Sequence, residues 1–412
     1  MLDGMSVLRL VLCRGVSVLV PLLLAAAPVA SASAQASAEV SVPASAPIVY
    51  PDVIAGRALA FPADHGSHPD YRTEWWYVTG WLRPVGEKAG KAEYQNPIGF
   101  QVTFFRSRPA IDPANPSRFA PKQLIFAHAA ISDPATGRLL HDQRIARAGF
   151  GLAGAAVAGT AGDFDVRVDR WFLRRDVRSG VFHAHVAAAD FSMELEITPQ
   201  QAELLQGSDE KTAGYSRKGP NPLQASYYYS LPHLAVSGMV RHGGRAEALQ
   251  GNAWLDHEWS TAYLDPRAAG WDWMGLNFDD GSALMAFRIR EKQAAGAESK
   301  TLWAGGALRR SDGAVERYSP GELHFETLRS WTSLRTGTRY PVEQRISIEH
   351  AGMRHGWHLS PLFDDQELDS RASTGTIYWE GAVRAVGEGE ASASPAGRGY
   401  LELTGYRQPL KF

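Results

Sequence analysis

Aromatic and β-branched residues gather in short runs along this chain, and Gly, Pro, Asn or Asp closes most of them. Trp75 to Leu82, Ile98 to Phe105 and Leu124 to Ile131 are the densest, and each has the length and make-up of a β-strand. Ser132-Asp133-Pro134-Ala135-Thr136-Gly137 has the chemistry of a turn after the third run. Further strand-like runs lie at 162–171, 181–198, 226–241, 248–259, 271–278, 283–290, 301–309, 342–350, 354–359, 375–385 and 399–406. Asp279-Asp280-Gly281 and Ser311-Asp312-Gly313 predict hairpin loops between apolar runs. Only Gln200 to Gln206 reads as helical, and no βαβ alternation occurs. More than a dozen strands exceed one small barrel, so the expected class is all-β, with two antiparallel barrels or sandwiches. The polar, Gly-, Lys- and Pro-rich stretch Gly207 to Ala225 is where the division between them is expected.

The first residues follow a different pattern. Arg9 and Arg14 precede an apolar run from Val16 to Ala30, and Ser31-Ala32-Ser33-Ala34 follows it. That order describes a secretory signal peptide over 1–34, cleaved after Ala34, and its core is shorter than the roughly 20 residues a spanning helix needs. The expected location of the mature protein is periplasmic or secreted, with 35–48 as a flexible lead-in. Cleavage removes two arginines, one aspartate and Cys13, the only cysteine, moving the formal charge from −2 to −3. Disulfides, thiolate metal sites and cysteine nucleophiles are thereby excluded from the mature chain. There is no excess of positive charge to grip a polyanion, so nucleic acid is not an expected partner.

Familiar catalytic signatures fail. The chain has no G-x-S-x-G elbow and no phosphate-binding glycine loop. His257-Glu258-Trp259-Ser260-Thr261 begins like a helical zinc-protease motif, but Thr261 stands where the second histidine belongs. His183/His185 and His355/His358 are pairs without a third ligand nearby, so no metal and no cofactor is expected. What remains is a set of ionisable residues inside aromatic strands: Glu74 before Trp75-Trp76-Tyr77, His128, Asp256-His257-Glu258-Trp259, Asp272 between Trp271 and Trp273, and Glu380 after Tyr378-Trp379. Strand alternation places His257 and Trp259 on one face and Asp256 and Glu258 on the other. It likewise sets Asp272 opposite Trp271 and Trp273, and Glu74 with Trp76 and Val78. A carboxyl group against indole rings loses hydration, which raises its pKa and lets it donate a proton near neutrality. Pairing with arginines such as Arg72 or Arg288 is the competing structural role.

These blocks resemble the AttH and carotenoid 1,2-hydratase family. The resemblance rests on Phe61-Pro62-Ala63-Asp64-His65-Gly66-Ser67-His68 with Tyr71 to Gly80, on Gly99 to Arg106, and on Phe126-Ala127-His128. It continues through Trp254 to Ser260, Gly270-Trp271-Asp272-Trp273, Tyr378 to Ala382 and Gly399 to Tyr406. It implies two lipocalin-like β-barrels packed side by side, here 49–225 and 226–412, and a hydrophobic ligand such as a lipid or isoprenoid. The hydratase branch protonates a terminal alkene, and His257 and Trp259 match its His-x-Trp block. Its proton donor lies in a Tyr-x-Asp on the strand after the Trp-Asp-Trp region, where this chain reads Ala283-Leu284-Met285-Ala286-Phe287-Arg288-Ile289. The chain is therefore more similar to the AttH branch, whose members are described as secreted hydrolases or transport-associated proteins. The expected function is binding of such a ligand, with a link to a membrane transport complex; the alternative is acid-catalysed hydration or hydrolysis. Asp256, His257, Glu258 and Asp272 are the candidate catalytic residues. Glu74, Trp75, Trp76, Tyr77, His128, Trp259, Trp271, Trp273, Tyr378 and Glu380 are the candidate ligand contacts.

Overall fold

The computed structural model describes residues 48–86, 97–159, 164–293, 300–388 and 394–410. The expected leader and all but the last residue of the lead-in lie outside them. Helix is confined, among the described residues, to four three-residue 3₁₀ turns, Ala63–His65, Pro134–Thr136, Glu210–Thr212 and Pro320–Glu322. All other regular structure is antiparallel strand.

The first sheet holds β1 (Thr73–Pro84), β2 (Ile98–Ser107), β3 (Leu124–Ser132), β4 (Leu140–Arg147), β5 (Ala153–Ala155), β6 (Asp165–Val168) and β7 (Trp171–Arg175). It continues with β8 (Phe182–Ala187), β9 (Phe191–Pro199), β10 (Leu204–Leu205), β11 (Tyr215–Arg217), β12 (Ala225–His242) and β13 (Arg245–Ser260). The second holds β14 (Ala268–Phe278), β15 (Ala283–Glu291), β16 (Thr301–Arg309), β17 (Val315–Tyr318) and β18 (Leu323–Thr332). To these it adds β19 (Arg339–His350), β20 (Met353–Pro361), β21 (Glu367–Ser370), β22 (Thr376–Glu388) and β23 (Gly397–Leu403). Along the first sheet the order is β4-β3-β2-β1-β13-β12-β9-β8-β7-β6-β5, and its ends approach each other, so the sheet is nearly a barrel. The second runs β17-β16-β15-β14-β23-β22-β20-β19-β18.

Sequence reading places a boundary at 225/226, but the sheets divide at the loop between Ser260 and Ala268. β12 and β13 form a long hairpin whose outer partners are β9 and β1, so both complete the first sheet. The polar stretch 207–225 is an excursion within that sheet. The helix expected at 200–206 is absent, because Leu204 and Leu205 pair with Ser230 and Tyr229 of β12.

Alternation divides the core three ways. Trp76, Val78, Leu82, Phe100, Val102, Phe104, Leu255 and Trp259 fill the first barrel, and Met274, Leu276, Leu284, Trp357, Trp379 and Leu401 form the core of the second sheet. Residues of opposite parity, Tyr77, Trp81, Tyr228, Trp254, Trp273, Met285, Phe287 and Tyr400, form a third cluster where the sheets meet. Trp81 Nε1 donates to Gly399 O at 2.9 Å and Asn277 Nδ2 to Ala253 O at 3.0 Å, tying one sheet to the other. The approach is close at Gly99, where a Cβ would lie 2.5 Å from the Tyr400 hydroxyl and 2.8 Å from Ala382 Cβ.

Candidate functional site

The seam between the sheets contains a cavity of about 110 Å³. From the first sheet, Trp75, Tyr77, Gln101, Thr103, Phe105, Tyr228, Asp256 and Glu258 line it; from the second come Trp271, Trp273, Phe287, Ile289, Tyr378, Glu380 and Glu402. Trp75, Phe105 and Trp271 are only half-buried and mark its mouth. An internal void of roughly 150 Å³ admits benzene, so a chain-like ligand would enter this cavity by one end.

Four carboxyl groups meet there, and among the described residues none has an arginine partner while Glu258 has Lys218. Asp256 accepts hydrogen bonds from Tyr228 Oη at 2.5 Å, Trp254 Nε1 at 2.7 Å and the Ser230 hydroxyl. Trp273 Nε1 in turn donates to Tyr228 Oη at 3.0 Å. Burial lifts Asp256 to about 7 against these hydrogen bonds. Glu258 is raised by burial too, opposed by Lys218, whose Nζ is 2.9 Å away. Glu380 and Glu402 stand directly opposite each other on β22 and β23. Gln101 Nε2 donates to Glu380 Oε2 at 2.6 Å, and the Tyr77 and Tyr378 hydroxyls act on Glu380 against the effect of burial. Burial and then the charge of Glu402 hold Glu380 well above the carboxylate range. Trp271 Nε1 donates to Glu402 at 2.8 Å, and burial lifts Glu402 to about 7. Two facing buried carboxyls do not both ionise near neutrality, and the pair retains a proton.

A pH signature follows. Glu402 titrates near 4.3 in the unfolded chain and at about 7 when folded. Its protonated form therefore favours the fold fully below about pH 4.3, and that contribution disappears as pH rises through 7. Urea denaturation from pH 4.5 to 8 should show Glu402→Gln gaining on the wild type by about 3 kcal/mol at most. A stability difference independent of pH would rule out the buried neutral carboxyl.

The first-barrel interior holds a separate cluster, so the sequence candidates Glu74, Trp76, His257 and Trp259 do not reach the cavity. Glu74 accepts from Arg106 Nε at 2.8 Å and from the His68 backbone N–H. Its Oε1 is 2.8 Å from His68 Nδ1 and 2.9 Å from His257 Nε2. His257 Nδ1 continues to Tyr229 Oη, which also meets His65 Nδ1 at 2.7 Å, and His68 Nε2 reaches Asp64. His68 stacks on Trp259 at 3.7 Å, and Trp76 lies against His257. Burial drops His257 to about 4, whereas its ion-pair partners hold Glu74 far below its usual range despite burial. His68, Glu74 and His257 present their ligand atoms within 4.8 Å of one another. Arg106 already neutralises Glu74 and the hydrogen bonds are complete, so the donor set suits a locked network better than a cation. Residues 60–68 thus plug the barrel.

Two further sequence candidates also lie away from the cavity. Asp272 faces the core side of the second sheet, where Arg288 Nε, Arg290 Nε and Tyr406 Oη bind it at 2.8, 2.9 and 2.9 Å. Its role there is an ion pair. His128 sits between Tyr378 Oη (2.9 Å) and Ser373 Oγ (2.8 Å) at the seam without lining the cavity. Burial lowers it to about 3, so it is neutral. Of the histidine pairs, His185 stacks on Phe172 and His358 Nε2 contacts Glu343. Sequence reasoning missed Gln101, Lys218, Tyr228 and Glu402. Only Glu402 had a signal, since it follows Tyr400 by two and so shares its face.

Two antiparallel sheets thus meet around an acid-bearing aromatic cavity. The chain belongs to the AttH-like family, whose model matches residues 52–406. The 2.00 Å crystal structure of an AttH candidate from Nitrosomonas europaea is similar at 48% identity and TM-score 0.74, covering 86% of this chain and 99% of that one. Kievitone hydratase from Nectria haematococca shares the fold at 13% identity and TM-score 0.58, over 87% and 96% of the two chains. CghA with Sch210972 does so at 12% and 0.53, over 87% and 97%. No curated protein matches the sequence.

Proposed function

We propose that this chain is an exported acid catalyst that adds water across a carbon–carbon double bond of a hydrophobic substrate held at the seam. The observation that carries the reading is the facing Glu380–Glu402 pair, which lines an aromatic cavity that no arginine enters among the described residues. In this reading Glu380 donates its carboxyl proton to carbon. The cation that develops faces indole and phenyl rings, worth about 2 kcal/mol when desolvated. Asp256, reached through Tyr228, takes the proton of the attacking water. The name of kievitone hydratase supports the reading through the fold alone, and the N-terminal leader supports export.

A second reading is a periplasmic carrier that hands a lipid or isoprenoid to a membrane transport complex. It draws support from β15, which offers Phe287 and Ile289 to the cavity and no acid. Mass spectrometry of solvent extracts from mature protein, followed by incubation of the recovered lipid in H₂¹⁸O, separates the two. A bound pair differing by one water, with ¹⁸O entering the heavier member, is expected of the hydratase. One unmodified lipid with no incorporated label is the carrier's result.

A further inference from the structure

Proton transfer to an alkene leaves one group of the cavity unused. Lys218 follows β11, is 1% exposed, and is the only cation lining the cavity among the described residues. Besides Glu258, its Nζ meets Ser216 Oγ at 3.1 Å, and it lies 4.1 Å from the Phe287 ring centre and 4.6 Å from that of Tyr228.

The residue type carries information. The chain has 34 arginines and only 8 lysines. Leaving histidine aside, its other strongly buried ion pairs among the described residues, at Glu74 and Asp272, use Arg106, Arg288 and Arg290. Arginine stays charged and makes more hydrogen bonds, so it is the better residue for neutralising a buried acid. A lysine differs in being able to give up its proton and become a nucleophile. Burial favours this exchange from both sides, since it lowers Lys218 and raises Glu258.

We propose that Lys218 is an imine-forming site for apolar, conjugated aldehydes that enter the cavity. The proposal rests on reading the seam as a substrate site, and it names a carbonyl-bearing substrate class. The neutral amine attacks the carbonyl carbon; the C–N bond forms and the oxygen gains a proton as nitrogen loses one, giving a carbinolamine. The Glu258 carboxyl then protonates the hydroxyl, the C–O bond breaks, and water leaves. A protonated imine remains on Lys218, with the Glu258 carboxylate as its counter-ion. Amine, carboxyl and aldehyde have become iminium, carboxylate and water, and no oxidant is needed. A conjugated iminium withdraws electrons from the adjoining double bond, and the rings of Phe287 and Tyr228 face its charge.

The test is reductive trapping on the full mature chain with cinnamaldehyde and sodium cyanoborohydride, read by peptide mapping. One equivalent of adduct at Lys218 is expected, formed about tenfold faster than at the exposed Lys122, Lys211, Lys292 and Lys300. Adducts on those lysines with Lys218 unmodified would overturn the proposal. Lys218→Arg keeps a cation beside Glu258 but cannot form an imine, and it should lose the fast adduct at an unchanged unfolding temperature. The wild-type map decides alone if that variant does not fold. Trapping requires no turnover, so Lys218 labelling without ¹⁸O incorporation would retain the imine site and reject hydration. Incorporation without labelling would do the reverse.

Discussion

In the hydratase reading, Glu380→Gln is expected to remove turnover while leaving the protein folded. The amide is isosteric and its oxygen still accepts from Gln101 Nε2, which binds Glu380 Oε2 at 2.6 Å. What disappears is the carboxyl proton of a group that burial and the charge of Glu402 keep well above the carboxylate range. A positioned general acid contributes about 10²–10⁴-fold in rate, and a loss of that order in ¹⁸O incorporation is expected. The thermal midpoint at pH 8 stays level or rises, because the variant buries no group that ionisation would strain. Full activity in this variant would exclude Glu380 as the donor and turn attention to Asp256.

Glu74→Gln produces the opposite phenotype, a severe loss of stability whose origin lies away from the cavity. The substitution leaves Arg106, 2% exposed, without its carboxylate, and removes the acceptor shared by His68 and His257. Breaking one side of a buried ion pair costs about 3–5 kcal/mol, which urea denaturation at pH 7 would register. Glu74 is held far below its usual range when folded, so its contribution is present above the unfolded value near 4.3 and fades as pH falls below it. The gap between variant and wild type should therefore narrow at pH 3 to 4. An undiminished gap there would mean that shape, and not charge, is what Glu74 supplies to the plug.

Strand parity made much of this arrangement readable in advance. The opposition of His257 and Trp259 to Asp256 and Glu258, of Asp272 to its flanking tryptophans, and the sharing of a face by Glu74 and Trp76 all follow from a two-residue period. Parity does not say which face looks into a barrel and which into the seam. That depends on pairings between distant strands, such as β1 with β13 and β14 with β23. Asp272 illustrates the loss. Its partners Arg288 and Arg290 are two apart on β15 and so share a face, but only the register of Asp272 opposite Arg288 brings them to it. Lys218 was hidden for another reason. It lies in a polar stretch that composition marks as a connector, and only the pairing of β11 with β12 folds that stretch against Glu258. The same stretch misplaced the boundary, because a polar loop inside a sheet and a linker between sheets have the same composition.

β13 serves both clusters at once. Trp254, Asp256 and Glu258 belong to the seam, while His257 and Trp259 belong to the barrel plug. Inserting or deleting one residue there would exchange the two sets, sending acids into the plug and imidazole into the cavity. Lineages descended from such a chain can diversify by replacement but not by changes of length in this segment. Asp256 and Glu258 are positions where new chemistry can be installed while the neighbouring lock is inherited intact.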